Sequence, residues 1–397
     1  MSLALLTELL ALPGVQVVSY ELPDAARLLV NLVFEVTGAP CPTCGELSQQ
    51  IHSYGEPRTV RDLDVWHRAC YVRFRPRQFM CARCHTTFVE RLSWLGHSPH
   101  HTHRWEQAVY LCVQRTNIAD AARQYQASYD QVAALFAYWA EQHIAARGYP
   151  LVKTLHVDEI APQKGHGHYR LILSSPTVGV LDVLEDRLET TLDAWLVARG
   201  AAWCAHVTEF NADMWRSYHT VAARRLPNAH AVADHFHVIK NANAALQEVR
   251  KVEQRALPAE QRAAVQDSRW WLARNRADLT DAERTQLDTL LADLPGLRRA
   301  YELKEALRRC YALPDLAQAT TALAEWLTQA ATAPPAFQTV VTTIKNWQTA
   351  ILNFFVNRGN NGFAEGINTK IKLVLRRAFG CANFAHLRLR IIVAFCD

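Results

Sequence analysis

Cys41-Pro-Thr-Cys44 and Cys81-Ala-Arg-Cys84 each set two thiols around a two-residue spacer. That spacing lets one tight turn offer both sulfurs to a tetrahedral zinc ion. A redox dithiol needs one such pair, whereas two knuckles complete a four-thiolate site. The expectation is therefore a structural zinc ion on Cys41, Cys44, Cys81 and Cys84, with Cys70 in the core. Acids supply a second chemistry. Asp158 and Glu159 close the stretch Leu155-His156-Val157, and Glu209 and Asp213 bracket a similar stretch before Trp215. Carboxylates from separate strand ends can share hard divalent cations, which hold the attacking and leaving oxygens of a phosphoryl transfer. Taken singly, each acidic cluster reads as a solvated strand terminus. A third acid opens the segment Glu365-Gly-Ile-Asn368-Thr-Lys370-Ile-Lys372-Leu-Val-Leu-Arg376-Arg377. At helical spacing Ile367, Ile371, Val374, Leu375 and Ala378 share one stripe, and Glu365, Asn368, Lys372 and Arg376 share another. A metal ligand followed by cations suits a DNA backbone; the plainer reading is a surface helix with ordinary charge pairing.

Basic and aromatic residues interleave around the knuckles. Arg58, Arg61, Arg68, Arg73, Arg75 and Arg77 alternate with Trp66, Tyr71, Phe74 and Phe79, a mixture suited to phosphates and bases. Arg73, Arg75 and Arg77 are the candidate DNA contacts, and a solvated strand face is the alternative for each. Further on, Asn117 and Ser128 can cap two short helices. Ile118, Ala122, Tyr125, Val132 and Leu135 would pack between them, leaving Tyr129 and Gln131 outward. A helix-turn-helix offers its recognition helix to a major groove in this way, although any helical hairpin gives the same pattern.

These residues need elements to position them. Period-two alternation predicts strands over Val15–Leu22, Arg27–Val36 and Tyr71–Phe79, and so a β-rich front end. The His-rich stretch 96–101 reads as a linker. Helical spacing runs from Arg104 to about Ala146, stopped by Gly148 and Pro150. Strand signals return at Leu151–Ile160, Tyr169–Ser174, Val178–Leu184 and Trp203–Phe210, with a helix over Leu188–Ala198, which predicts an α/β sheet. From Asn241 to Ala350 only helical spacing is found, and an amphipathic helix starts near Phe363. The 397 residues exceed a usual single core, so several domains are expected. Half the residues are hydrophobic, which excludes a disordered chain. A net charge of +5 permits an anionic partner without demanding one. The sequence has neither a signal-peptide pattern nor a membrane-length apolar run, so an intracellular protein is expected, with its ten cysteines reduced.

The chain resembles the bacterial insertion-sequence transposases of the ISL-three group. The resemblance is carried by CPTCG, RDLDVW, CARCHTTFVERL, HVDE, ADMW followed by LPNAHAVADHFHVIK, and NGFAEGINTKIKLVLRRAFG with NFAHLRLR, in that order along nearly the whole chain. It implies a multidomain α/β protein. Residues 1–95 would be a zinc-ribbon DNA-binding domain and 100–148 a helix-turn-helix. Residues 150–240 would begin a ribonuclease-H-like catalytic domain, 241–355 would be an all-helical insertion, and 356–397 would complete the domain. The resemblance further implies a DDE triad of Asp158, Asp213 and Glu365 holding two magnesium ions. Asp234-His-Phe-His237 is similar to the D-x-x-H motif of related transposases, in which the His approaches the scissile phosphate. Trp215 is either a stacking surface for an unpaired base or a core residue. The implied activity is binding of the element's terminal inverted repeats, hydrolysis at its ends and joining of the 3′-hydroxyls to target DNA. The implied partners are double-stranded DNA and further copies of the chain, as a homodimer or larger assembly, in the bacterial nucleoid.

Overall fold

The computed structural model describes residues 2–161, 169–358, 362–379 and 383–396, apart from the side chains of Asn357, Ala364 and Glu365. It divides into two compact units, residues 1–143 with 377–379, and residues 144–376 with 380–397. No helix of the described residues is long and apolar enough to cross a membrane.

In the first unit α1 (Leu3–Leu10) leads into β1 (Val15–Glu21), β2 (Arg27–Phe34), β3 (Ala39–Pro40), β4 (Leu47–Ser48), β5 (Ile51–Tyr54), β6 (Arg58–Arg61), β7 (Ala69–Phe74), β8 (Arg77–Met80) and β9 (Thr87–Val89). One sheet has the order β1-β2-β7-β6, a second β5-β8-β9, and β3 pairs with β4. Alternation along β7 buries Cys70, Val72 and Phe74 beneath Leu6, Leu10 and Trp94 while Tyr71 and Arg73 face outward. The single strand expected over Tyr71–Phe79 is in fact two. Pro76 has no amide hydrogen to continue the ladder, and the chain resumes as β8 in the other sheet.

Three helices complete this unit's sequence, α2 (His103–Arg115), α3 (Ile118–Tyr125) and α4 (Tyr129–Arg147), the last running into the second unit. Asp62 is fully buried and accepts hydrogen bonds at 2.7 Å from both Thr102 Oγ1 and Arg104 Nε. The Arg61-Asp62 stretch therefore braces β6 against the start of α2. The His-rich stretch read as a linker is pinned instead. Buried Glu106 accepts the amide hydrogens of His97 at 2.9 Å and Ser98 at 2.8 Å, and the Trp139 indole hydrogen at 3.0 Å. A Cβ at position 96 would lie 2.3 Å from a Glu106 oxygen, so only glycine lets the loop approach. Asn117 caps α3, and Ser128 and Gln131 cap α4 reciprocally through side chain and backbone at 3.1 and 3.2 Å.

The second unit is built on β10 (Thr154–Ile160), β11 (Arg170–Ser175), β12 (Gly179–Leu184), β13 (Glu209–Ala212) and β14 (His230–Ala233), in the order β12-β11-β10-β13-β14. β11 is antiparallel to both its neighbours, β10 and β12, whereas β13 and β14 lie parallel to β10. Between β12 and β14 run α5 (Glu189–Arg199), α6 (Ala201–His206) and α7 (Arg216–Arg225). The strand expected over Trp203–Phe210 is corrected to α6 followed by the short β13. Gly200, at φ 84°, restarts the chain as a helix that buries Trp203 and Cys204 against Trp195 and Leu196. After β14 come α8 (His235–Ala256), α9 (Ala259–Asp267), α10 (Arg269–Ala273), α11 (Asp281–Ala292), α12 (Pro295–Tyr311), α13 (Leu316–Gln329) and α14 (Gln338–Asn357), which share one apolar core. Finally α15 (Gly362–Arg377) and α16 (Phe384–Val393) return to the sheet.

The sheet is covered on both faces, which is why the run Leu171–Ser175 is continuously buried. Leu155, Val157, Leu171 and Leu173 pack with α5, α6 and α7. Ile160, Ile172, Val180 and Val183 pack with Ile367 and Ile371 of α15 and with Leu387, Ile391 and Ile392 of α16. Asp182 ties α16 down. It is 3% exposed and accepts from Tyr149 Oη at 2.7 Å, Trp195 Nε1 at 2.8 Å and Arg388 Nε at 2.7 Å. Burial pushes its pKa up, but these donors outweigh it and hold the carboxyl below the usual range. That contribution to stability is present at neutral pH and is lost as pH falls into the carboxylate range. Asp182→Ala leaves three donors without their acceptor and should cost about 3 kcal/mol. A urea-unfolding midpoint unchanged from wild type would refute this.

Candidate functional site

The four knuckle sulfurs converge first. Sγ of Cys41 lies 3.6 Å from that of Cys84, Cys44 Sγ lies 3.5 Å from Cys81 Sγ, and all four fall within 4.8 Å of one another. A zinc tetrahedron with Zn–S of about 2.3 Å has edges of about 3.8 Å, so the donor set fits that ion. Each knuckle makes the same turn: Gly45 donates to the Cys41 carbonyl and His85 to that of Cys81, both at 2.9 Å. Gly45 has φ 77° and His85 φ 56°, so the second knuckle uses a side-chain residue where the first has glycine. Backbone N–H groups of Cys84 and Arg83 directed at Cys81 bring its thiol down to about 6, while burial and the neighbouring thiols push that of Cys44 up to about 12 against the Glu46 amide. Cys70 is buried, and burial pushes its thiol up to about 12, as expected of a core residue.

Of the cations expected to meet DNA, Arg73 is half-buried and lies 3.4 Å from Glu21, while Arg75 is exposed and bonds the Gly55 carbonyl at 3.3 Å. Arg77 is corrected. It is 6% exposed, forms a forked pair with Glu90 at 2.9 and 2.6 Å, and lies over the Phe34 ring at 4.2 Å, so it closes the module's interior. Tyr129 is exposed at the start of α4, and Gln131 is exposed while engaged in the cap.

In the second unit, register decides the arrangement of acids. Val157 pairs with Ala212 across the parallel strands β10 and β13. Alternation then puts His156 and Asp158 on the same face as Glu209, Asn211 and the next outward position, Asp213. Asp234 follows β14 directly and caps α8 by accepting from Phe236 N at 2.8 Å. Three neighbouring parallel strands thus each deliver an acid at the carboxyl end, where open α/β sheets gather their ligands. α15 lies over the same face, and Asn368 Nδ2 donates to Asp158 Oδ2 at 2.6 Å. Glu365 is on α15 one turn before Asn368; its side chain lies outside the described residues. Lys372 and Arg376 are exposed further along that helix.

Asp158 is largely buried, and burial raises its pKa, with Asp213 adding to the rise against the pull of Asn368. Asp213 and Asp234 share His237: its Nδ1 is 2.6 Å from Asp213 Oδ1 and makes its directed hydrogen bond to Asp234 Oδ2 at 3.0 Å. Burial works against the imidazolium, but the two carboxylates prevail and raise its pKa to about 10. Drawn onto this ring, the carboxylates of the described residues do not converge as tightly as the cysteines do. Glu209 is a different case, being buried and accepting from Asn211 Nδ2 at 2.5 Å. Trp215 is not core: it is 47% exposed, with the Arg187 guanidinium 5.1 Å from its ring centre. Sequence reasoning missed Asn368 as the partner of Asp158. Its position one turn beyond Glu365, on the same polar stripe, was the available signal.

Comparison with known proteins agrees with this arrangement. A zinc-finger family of transposases IS204, IS1001, IS1096 and IS1165 matches residues 37–84, and the ISL3 DDE family described as "Transposase" matches residues 155–391. The transposase for insertion sequence element IS1001 of Bordetella parapertussis is 28% identical over 89% of this chain and 88% of its own length. The transposase for IS1557 of Mycobacterium tuberculosis is 25% identical over 86% of this chain and 82% of its own. With the cysteine knuckles in the zinc-ribbon match and the acid-bearing strands and α15 within the longer one, the chain belongs to the ISL3 family of DDE transposases.

Proposed function

We propose that the chain binds the terminal inverted repeats of its own element, hydrolyses DNA at the ends and joins the freed 3′-hydroxyls to target DNA in the bacterial nucleoid. The observation that carries this reading is the placement of Asp158 and Asp213 on one face of adjacent parallel strands, with α15 laid over that face. A strand order with three antiparallel strands followed by two parallel ones, interrupted by a helical block before α15, supports the ribonuclease-H-like reading. Hard carboxylate oxygens suit magnesium. Two such ions held by Asp158, Asp213 and Glu365 would activate water and the 3′-hydroxyl as nucleophiles. The chain's own residues do the rest. Asn368 fixes the orientation of Asp158, and His237 is set by Asp213 and Asp234 to meet a phosphate oxygen. Incubating the chain with element-end duplexes, target plasmid and magnesium should give joined products; cleavage without joining would reduce the protein to a nuclease.

The reading assigns end recognition to the zinc ribbon and to α3 and α4 as a helix-turn-helix, with Tyr129 and Gln131 toward bases and Arg73, Arg75, Lys372 and Arg376 toward phosphates. Pairing of ends calls for a homodimer or larger assembly. Affinity for end DNA should fall steeply with salt through counterion release, and each of the four cations changed to Ala should lower the log–log salt slope by about 1. Slopes unchanged in all four variants, measured by fluorescence anisotropy, would place the phosphate track elsewhere.

A further inference from the structure

The helical block holds a charge that its surroundings do not balance. Arg250, on α8, is 4% exposed, yet every acceptor it meets is a neutral amide. Its Nε donates to Gln247 Oε1 at 2.8 Å, and its Nη1 to Gln254 Oε1 at 2.9 Å and Gln266 Oε1 at 3.3 Å. Burial and the like charge of Arg269 hold its pKa below the usual guanidinium range, and Glu248, the acid pulling the other way, is taken by Lys251 at 2.6 Å. Gln247 joins the two arginines, since its Nε2 donates to the Arg269 carbonyl at 3.3 Å. Arg269 is exposed at the start of α10, with its guanidinium 4.8 Å from the ring centre of Trp270, which is 65% exposed. Among the described residues neither guanidinium pairs with a carboxylate.

Buried charges are ordinarily paired, because an unpaired one is expensive to desolvate, and an apolar side chain of similar volume packs a helix junction as well. The retained charge therefore points to an anion from outside the chain. We propose that Arg250 and Arg269 form a phosphate-binding site in the helical block, occupied by a phosphodiester of duplex DNA, with Trp270 against the adjoining deoxyribose. This rests on the transposase reading. The glutamines fix the Arg250 guanidinium plane before the anion arrives, which suits forked recognition of phosphate oxygens. Trp270 offers apolar area beside the charge; a deoxyribose can cover it and a free phosphate cannot. α8 also sets a distance. Arg250 stands thirteen residues beyond His237 on one continuous helix, about 20 Å at about 1.5 Å per residue. Phosphates follow one another every ~3.4 Å along a strand of B-DNA, so the contacted phosphate lies about six nucleotides from the cut.

The test uses the full chain and end duplexes carrying one uncharged methylphosphonate linkage, moved one position at a time outward from the cut, with affinity read by fluorescence anisotropy. On ordinary ends, Arg269→Ala and Arg250→Met should each weaken binding roughly three- to tenfold and lower the log–log salt slope by about 1. For wild type the neutral linkage about six nucleotides from the cut should cost a similar factor, and for both variants less than about twofold, a coupling that misfolding does not produce. Arg269→Ala, at an exposed position, carries the test even where Arg250→Met does not fold. A linkage profile identical in wild type and Arg269→Ala overturns the proposal and leaves the transposase reading standing. The same identical profile, with inorganic phosphate raising the melting temperature of wild type but not of Arg250→Met, gives the site to a free anion and overturns the DNA contact. A wild-type chain with no preference for element ends removes the transposase reading and the proposal with it.

Discussion

Asp213→Asn should lower DNA cutting and joining by about 10³-fold or more while end binding and folding stay as in the wild type, because the change removes a full negative charge from the proposed metal site and preserves side-chain shape. Neighbouring acids give the contrast that makes this result informative. Glu209 lies on the same face of β13, but it is buried and occupied by Asn211, and Gln in its place still offers an acceptor oxygen. Glu209→Gln should therefore cut within a few-fold of wild type. Asp234→Asn keeps the cap on α8 and weakens the setting of His237, so an intermediate loss, on the order of tenfold to a hundredfold, is expected. Single-turnover cleavage of end duplexes, with circular dichroism as the folding control, ranks the three. Near-normal strand transfer by Asp213→Asn, with abolition by either of the other two, would move the second acid to the residue that fails.

Removing zinc should have the second-largest effect. The knuckle core consists of Ala39, Phe79 and Phe88 around Cys41 and Cys81, with strands of two to four residues, too little apolar surface to order the module alone. Structural zinc supplies about 10–16 kcal/mol in such sites, and that is folding energy. Purified reduced protein should hold about one zinc per chain on this ligand count. Cys41→Ser, or treatment with a strong chelator, should lose the metal and the preference for end DNA together. Zinc-free protein that binds ends as tightly as untreated protein would rule out this role.

The sequence made the knuckles and the apolar stripe of α15 legible because each depends on a local spacing that the chain cannot disguise. Ile367 and Ile371 are buried against the sheet as their periodicity requires. What escaped reading depends on tertiary partners. Arg77 resembles its exposed neighbours until Glu90 and Phe34 are seen to enclose it. Trp203 and Cys204 carry strand-like residue types, yet Gly200 and the waiting surface of α5 make them helical. The histidines before α2 have linker composition, yet buried Glu106 holds the His97 and Ser98 amides and the Arg61 amide holds the His100 carbonyl. Even the resemblance that named the acids left the bond between Asn368 and Asp158 unread, since the polar stripe sets Asn368 beside Glu365 without showing which strand it meets.

The helical block between β14 and α15 also orders events in time. Synthesis proceeds from the amino end at about 5–20 residues per second, so several seconds separate the emergence of Asp234 from that of Glu365. During that interval the chain has its cysteine knuckles and the strand-end acids Asp158, Asp213 and Asp234 but not Glu365, the proposed third member of the triad. Ile160, Ile172, Val180 and Val183 meanwhile have no α15 or α16 to cover them. A ribosome that stalls within the block leaves a polypeptide whose apolar sheet face has nothing to cover it. The proposed site is thereby incomplete in any chain that stops within the helical block, whatever has folded before it.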